Sequence, residues 1–151
     1  MSSTYSILNA IKKQTEIFLE EITAVNHIEN ETANNLIYKN TSLLDLIDKN
    51  TKFKIILSID DNLLNKILEK LLDDIDDSEK DDVLKDLIDE VINIIVGLSI
   101  QDFPVKYKNL SLSTPYKLSN DESINLINDY EFTSFKTITV DGDLICYIIE
   151  S

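Results

Sequence analysis

Few side chains in this sequence could do chemistry, and most of those stand in the wrong company. The only histidine, His27, lies in a polar stretch with no cysteine or second histidine beside it, and reads as a surface residue. The only cysteine, Cys146, sits among Ile145, Tyr147, Ile148 and Ile149 and reads as a small buried side chain. Neither makes a recognisable nucleophile–base motif. Gly97 and Gly142 are the only glycines, too few for a loop that cradles phosphate. The acids Asp73, Asp74, Asp76 and Asp77 resemble a calcium loop in composition. They lack its central glycine and its terminal glutamate at the required spacing, so a solvated connector is the better reading.

What remains lies in Asp81 to Ser99, DDVLKDLIDEVINIIVGLS. The stretch has no proline and reads as a long amphipathic helix. At about 100° per residue, Leu84, Leu87, Ile88, Val91, Ile95 and Leu98 share an apolar face, while Asp86, Glu90, Asn93 and Gly97 fall opposite within a band roughly 60° wide. Burial is expected for Leu87, Ile88, Val91, Ile95 and Leu98, and exposure for Glu90 and Asn93. By spacing alone, an acid and an amide three residues apart are commonplace on a wet helix face. Asp82 and Asp89 flank that face as an ordinary solvated surface would have it.

The elements that must position this helix read as follows. Thr4 to Val25 is a first helix, with Ile7, Leu8, Ile11, Phe18 and Ile22 at helical spacing. Asn26 to Thr32 is a polar turn. Leu36 to Tyr38 resembles a strand, and Leu43 to Ile47 is open between strand and helical turn. Lys52 to Ile59 is a strand, and Asp60 caps a helix from Asp61 to Leu72. Asp73 to Lys80 connects, with Ser78 as a cap for the central helix. Phe103 to Leu112 alternates like a strand that Pro115 ends, and Ser119 to Tyr130 gives no clear signal. Phe132 to Val140 and Asp143 to Ile149 form a hairpin about Asp141-Gly142. The order predicts an α+β fold, long helices on a largely antiparallel sheet, as one domain over residues 1–151.

Composition narrows the partners. A net charge of −14 and a 43% hydrophobic content describe a chain with a real core that is unsuited to nucleic acid or anionic membrane. No apolar run is long enough to span a bilayer, and MSSTYSILNAIKKQ has no signal-peptide core. A lone cysteine rules out an internal disulfide and fits a reducing cytoplasm.

The stretch Asp86-Leu-Ile-Asp-Glu90-Val-Ile-Asn93-Ile-Ile-Val-Gly97 resembles the signature of the CheC/CheX/FliY phosphatases of bacterial chemotaxis. That signature has an aspartate or serine, a glutamate four residues on, an asparagine three further, and a downstream proline. Asp86, Glu90, Asn93 and Pro115 stand at the matching places, and Gly97 matches the small residue after the asparagine. The order of elements is also similar to CheX over nearly the whole chain. CheC-type proteins usually carry two such helices. Here the first helix offers Glu20 or Glu21 without an asparagine three residues later, so a single site points to CheX. Glycines are sparser than in relatives.

The resemblance implies a substrate, the aspartyl phosphate of a CheY-like receiver domain. It implies that Asn93 orients an in-line water and that Glu90 reaches the receiver's lysine. Asp86 and Gly97 would meet the partner, Gly97 by letting its backbone come close. Mg²⁺ would be bound by the receiver's acids, so no cofactor or metal site is expected in this chain. A homodimer joined through sheet edges is also implied, the edge being the strand ending at Pro115 or Asn34 to Asp48. Two other readings stay open: a receiver-binding adaptor without catalysis, and a flagellar-switch module.

Overall fold

The computed structural model describes residues 3–23, 29–33, 36–71, 76 and 78–150; His27 and residues 73–75 and 77 of the acidic connector lie outside them. The described elements are α1 (Ser3–Thr23), β1 (Glu29–Glu31), β2 (Asn40–Ile47), β3 (Lys52–Ile59), α2 (Asp61–Leu71), α3 (Lys80–Ser99), β4 (Ser111–Leu112), β5 (Tyr116–Lys117), α4 (Asn120–Asp129), β6 (Thr133–Thr139) and β7 (Gly142–Glu150). The strands join in the order β1-β6-β7-β3-β2-β4, with β5 also on the outer side of β2, and every pairing is antiparallel. This is the α+β architecture that the sequence predicts.

Alternation along β2, β3 and β7 sends side chains to both faces, and both faces are covered. Leu44, Leu46, Phe53, Ile55, Leu57, Leu144, Cys146 and Ile148 meet α1, α2 and α3 in the larger core. Leu43, Ile56, Ile145, Tyr147 and Ile149 meet Leu118 and Ile127 on the other side. Because the central strands are buried on both faces, Ile55, Ile56 and Leu57 follow one another without a polar residue between them, and all three are buried.

Several local expectations need correction. Leu36 to Tyr38 is irregular rather than a strand; it lies across the second face, where Tyr147 Oη donates to the Leu36 carbonyl at 2.7 Å. Part of the expected polar turn is β1, paired with β6. The Asn34 to Asp48 segment offers no free edge in β2, which is flanked by β3 on one side and by β4 and β5 on the other. Ser78 does not cap α3; Glu79 holds that position, with no side-chain cap bond. Asp60 does cap α2, accepting from the Asn62 amide at 2.9 Å.

Phe103 to Leu112 is not one strand. Two 3-10 turns, Ile100–Asp102 and Val105–Tyr107, precede the two residues of β4. Phe103, Tyr107 and Leu110 are buried while Val105 is 82% exposed, so the spacing that matters is four and three, not two. Ser119 and Glu122 form a capping box that starts α4. At the hairpin the two loop residues are Val140 and Asp141, since Thr139 pairs with Gly142.

Candidate functional site

α3 is fixed by its apolar side. Leu87, Ile88, Val91, Ile92, Ile95 and Val96 are all buried, a wider arc than the sequence suggests, because the helix packs on both α1 and β2. The arc is rotated toward Ile92 and Val96. Leu98, expected inside, is left at its rim in the last turn and is 50% exposed.

The opposite face carries the residues with chemistry. Asp86, Glu90, Asn93 and Gly97 are all exposed. Among the described residues, neither Glu90 nor Asn93 has a hydrogen-bond or ion-pair partner within the chain. Both border an open groove of about 530 Å³, whose other lining is Asp86, Asp89, Leu112, Ser113, Thr114 and Pro115. Pro115 therefore stands across the groove from the amide although it is far along the chain.

The far wall is held by β2. Leu112 pairs with Leu46 and Tyr116 with Leu43, so the segment between them must loop out beside α3. Two bonds staple that loop: the Ser113 amide donates to the Asp45 carbonyl and the Asp45 amide donates to Ser113 Oγ, each at 2.8 Å. Both walls thus rest on one buried strand.

The groove's acids are not alike. Asp89 is half-buried and accepts from Ser42 Oγ at 2.6 Å. Asp86 faces outward and lies 3.1 Å from Lys117 Nζ. Glu90 has no such partner among the described residues. Ser42, Ser113 and Lys117 were not legible as site residues, because their importance comes from strand register rather than from any motif. Gly97 is open: a Cβ built there meets only Leu112 Cδ2, at 4.0 Å. Cys146 and its thiol are buried, and burial pushes its pKa up, so it takes no part. No group of acids, histidine or cysteine among the described residues is arranged to hold a metal ion. None of the described helices is long and apolar enough to cross a membrane.

No curated protein sequence matches the chain. Among solved structures, a chemotaxis protein CheX from Vibrio vulnificus is similar with a TM-score of 0.74 at 12% identity, covering 96% of this chain and 99% of that one. The CheX-CheY-BeF3-Mg+2 complex from Borrelia burgdorferi contains a chain similar with a TM-score of 0.65 at 13% identity, covering 94% and 96%. FliY from Thermotoga maritima gives 0.57 at 12% identity, over 97% and 89%. These likenesses establish a shared fold. The model of the family described as chemotaxis phosphatase CheX matches residues 41–136, a span that holds both walls of the groove. The chain belongs to the CheX family.

Proposed function

We propose that this chain is a phosphatase for the aspartyl phosphate of a CheY-like response regulator. The observation that carries the reading is the pair Glu90 and Asn93, exposed, free of partners among the described residues, and set over an open groove on a helix whose other side is locked in the core. The Borrelia complex, which joins CheX with CheY, BeF3 and Mg+2, supports a receiver as the partner.

An acyl phosphate is labile, so no covalent nucleophile is needed. A water oxygen attacks phosphorus in line, the bond from phosphorus to the aspartyl oxygen breaks, and a free carboxylate and inorganic phosphate leave. Catalysis then rests on placing that water and on electrostatics. Asn93 accepts from and donates to the water without adding negative charge beside the phosphoryl oxygens. Glu90, one turn earlier, pairs with a lysine of the receiver and sets the docking register. Asp86 and Gly97 complete the contact face, and Mg²⁺ belongs to the receiver's own acids. Association into a homodimer through the sheet edges at β1 or at β4 and β5 is part of the same proposal.

The test is to mix the protein with a phosphorylated receiver from its own organism and time the loss of the phosphoryl group. Faster decay supports the phosphatase. Complex formation with decay no faster than that of the receiver alone would leave a binding adaptor instead.

A further inference from the structure

We infer that Lys117 is a positioning residue for this site: it offsets the Asp86 carboxylate so that an anionic phosphoryl group can approach the groove. The inference rests on the phosphatase reading above.

Asp86, Asp89 and Glu90 all border the groove, in a chain with a net charge of −14. A field of that sign repels a phosphorylated partner. Each acid is treated differently. Asp89 turns toward the sheet, where Ser42 Oγ donates to it at 2.6 Å. Glu90 has no partner among the described residues and is left for the receiver's cation. Asp86 has an 86% exposed side chain, and Lys117 Nζ stands 3.1 Å from it. None of the residues lining the groove is basic, so the cation is brought to its edge from β5 through this pair.

The backbone around Lys117 is anchored on both sides. Lys117 lies opposite Ser42 in the ladder. Ser42 Oγ also lies 3.3 Å from the Tyr116 carbonyl oxygen, and the Leu118 amide donates to the Thr41 carbonyl at 3.1 Å. β5, which carries the lysine, is therefore held against β2, the strand whose Ser42 answers Asp89. An ion pair this exposed contributes little to stability, which leaves the charge at the groove as the property it sets.

The experiment titrates the full chain with a receiver, loaded or not loaded with beryllofluoride and Mg²⁺, using wild type, Lys117→Gln and Lys117→Arg. At low salt, Lys117→Gln should raise the dissociation constant for the loaded receiver about 3- to 10-fold. The difference should shrink below about 2-fold near 0.5 M salt, where screening is short-ranged. The unloaded receiver should hardly distinguish the variants, Lys117→Arg should match wild type, and kcat at saturating receiver should stay within about 2-fold. Equal affinities for wild type and Lys117→Gln at low salt would overturn the inference. So would a loss that persists at high salt, that is as large for the unloaded receiver, or that falls on kcat alone. Phosphate release by wild type separately reads the phosphatase assignment: a protein that binds without hydrolysis ends that assignment, while the ratio of affinities still decides Lys117.

Discussion

Gly97 lies one turn beyond Asn93 on the exposed side of α3, and a methyl group added there would find only Leu112 Cδ2 at 4.0 Å. The free protein has no steric need of a glycine here. Alanine in place of glycine within a helix gains roughly 0.8–1 kcal/mol, and somewhat less in a last turn. For a chain of this size that is a rise in Tm of about 1–4 °C. Docking should move the other way. If the receiver's backbone comes close at Gly97, the added methyl costs about 1–3 kcal/mol of overpacking, or roughly 5- to 150-fold in Kd.

The other glycine supplies the contrast. Gly142 has φ +133°, and a Cβ there would stand 3.0 Å from Asp60 Cγ and 3.2 Å from Leu63 Cβ. Backbone strain and overpacking together should cost about 2–5 kcal/mol, a fall in Tm of about 5–15 °C. Thermal unfolding followed by circular dichroism, with a receiver titration for Gly97→Ala, reads both. A Gly97→Ala protein that is destabilised would refute the geometry at that position. One that binds the receiver as tightly as wild type would refute the close approach.

Glu90→Ala should weaken receiver binding about 10- to 100-fold while leaving most of kcat, so a dephosphorylation deficit should shrink as receiver concentration rises. Cys146 is fully buried with its thiol pKa pushed up. A thiol reagent at pH 8 should therefore label it only as fast as the chain opens, and fully in denaturant. Ser119→Ala breaks the capping box of α4 and should lower stability by about 1 kcal/mol in urea unfolding, with no change in phosphatase rate.

Legibility followed physical cause. α3 could be read because burial on one face imposes a helical period, and β3 because of its alternation and β-branched residues; neither contains a proline or an interior turn. The Phe103 to Leu112 segment misled because Phe103, Val105 and Tyr107, and then Leu110 and Leu112, are spaced two apart, while the backbone makes two 3-10 turns on either side of Pro104. α4 escaped notice because its apolar contribution is small, Ile127 and part of Leu126, although Ser119 and Glu122 carried the capping signal. Leu98 was misplaced because a helical wheel assumes a uniform environment along its length, which ends at the last turn of α3. In the site, Glu90, Asn93, Asp86 and Gly97 could be named because they lie on one helix at the spacing of the family signature; the spacing alone would not have singled them out. Ser42, Ser113 and Lys117 could not, since strand register alone brings them to the groove.

The most direct test of the central claim is the single-turnover decay of a phosphorylated receiver saturated with Asn93→Ala protein. At saturation any loss of docking is removed, so the rate reports the water's placement alone. The expected rate is about 10²- to 10³-fold below wild type, with the receiver's Kd nearly unchanged and Asn93→Asp no better. Decay by Asn93→Ala at close to the wild-type rate would contradict a water-orienting amide and remove the mechanism proposed for this protein.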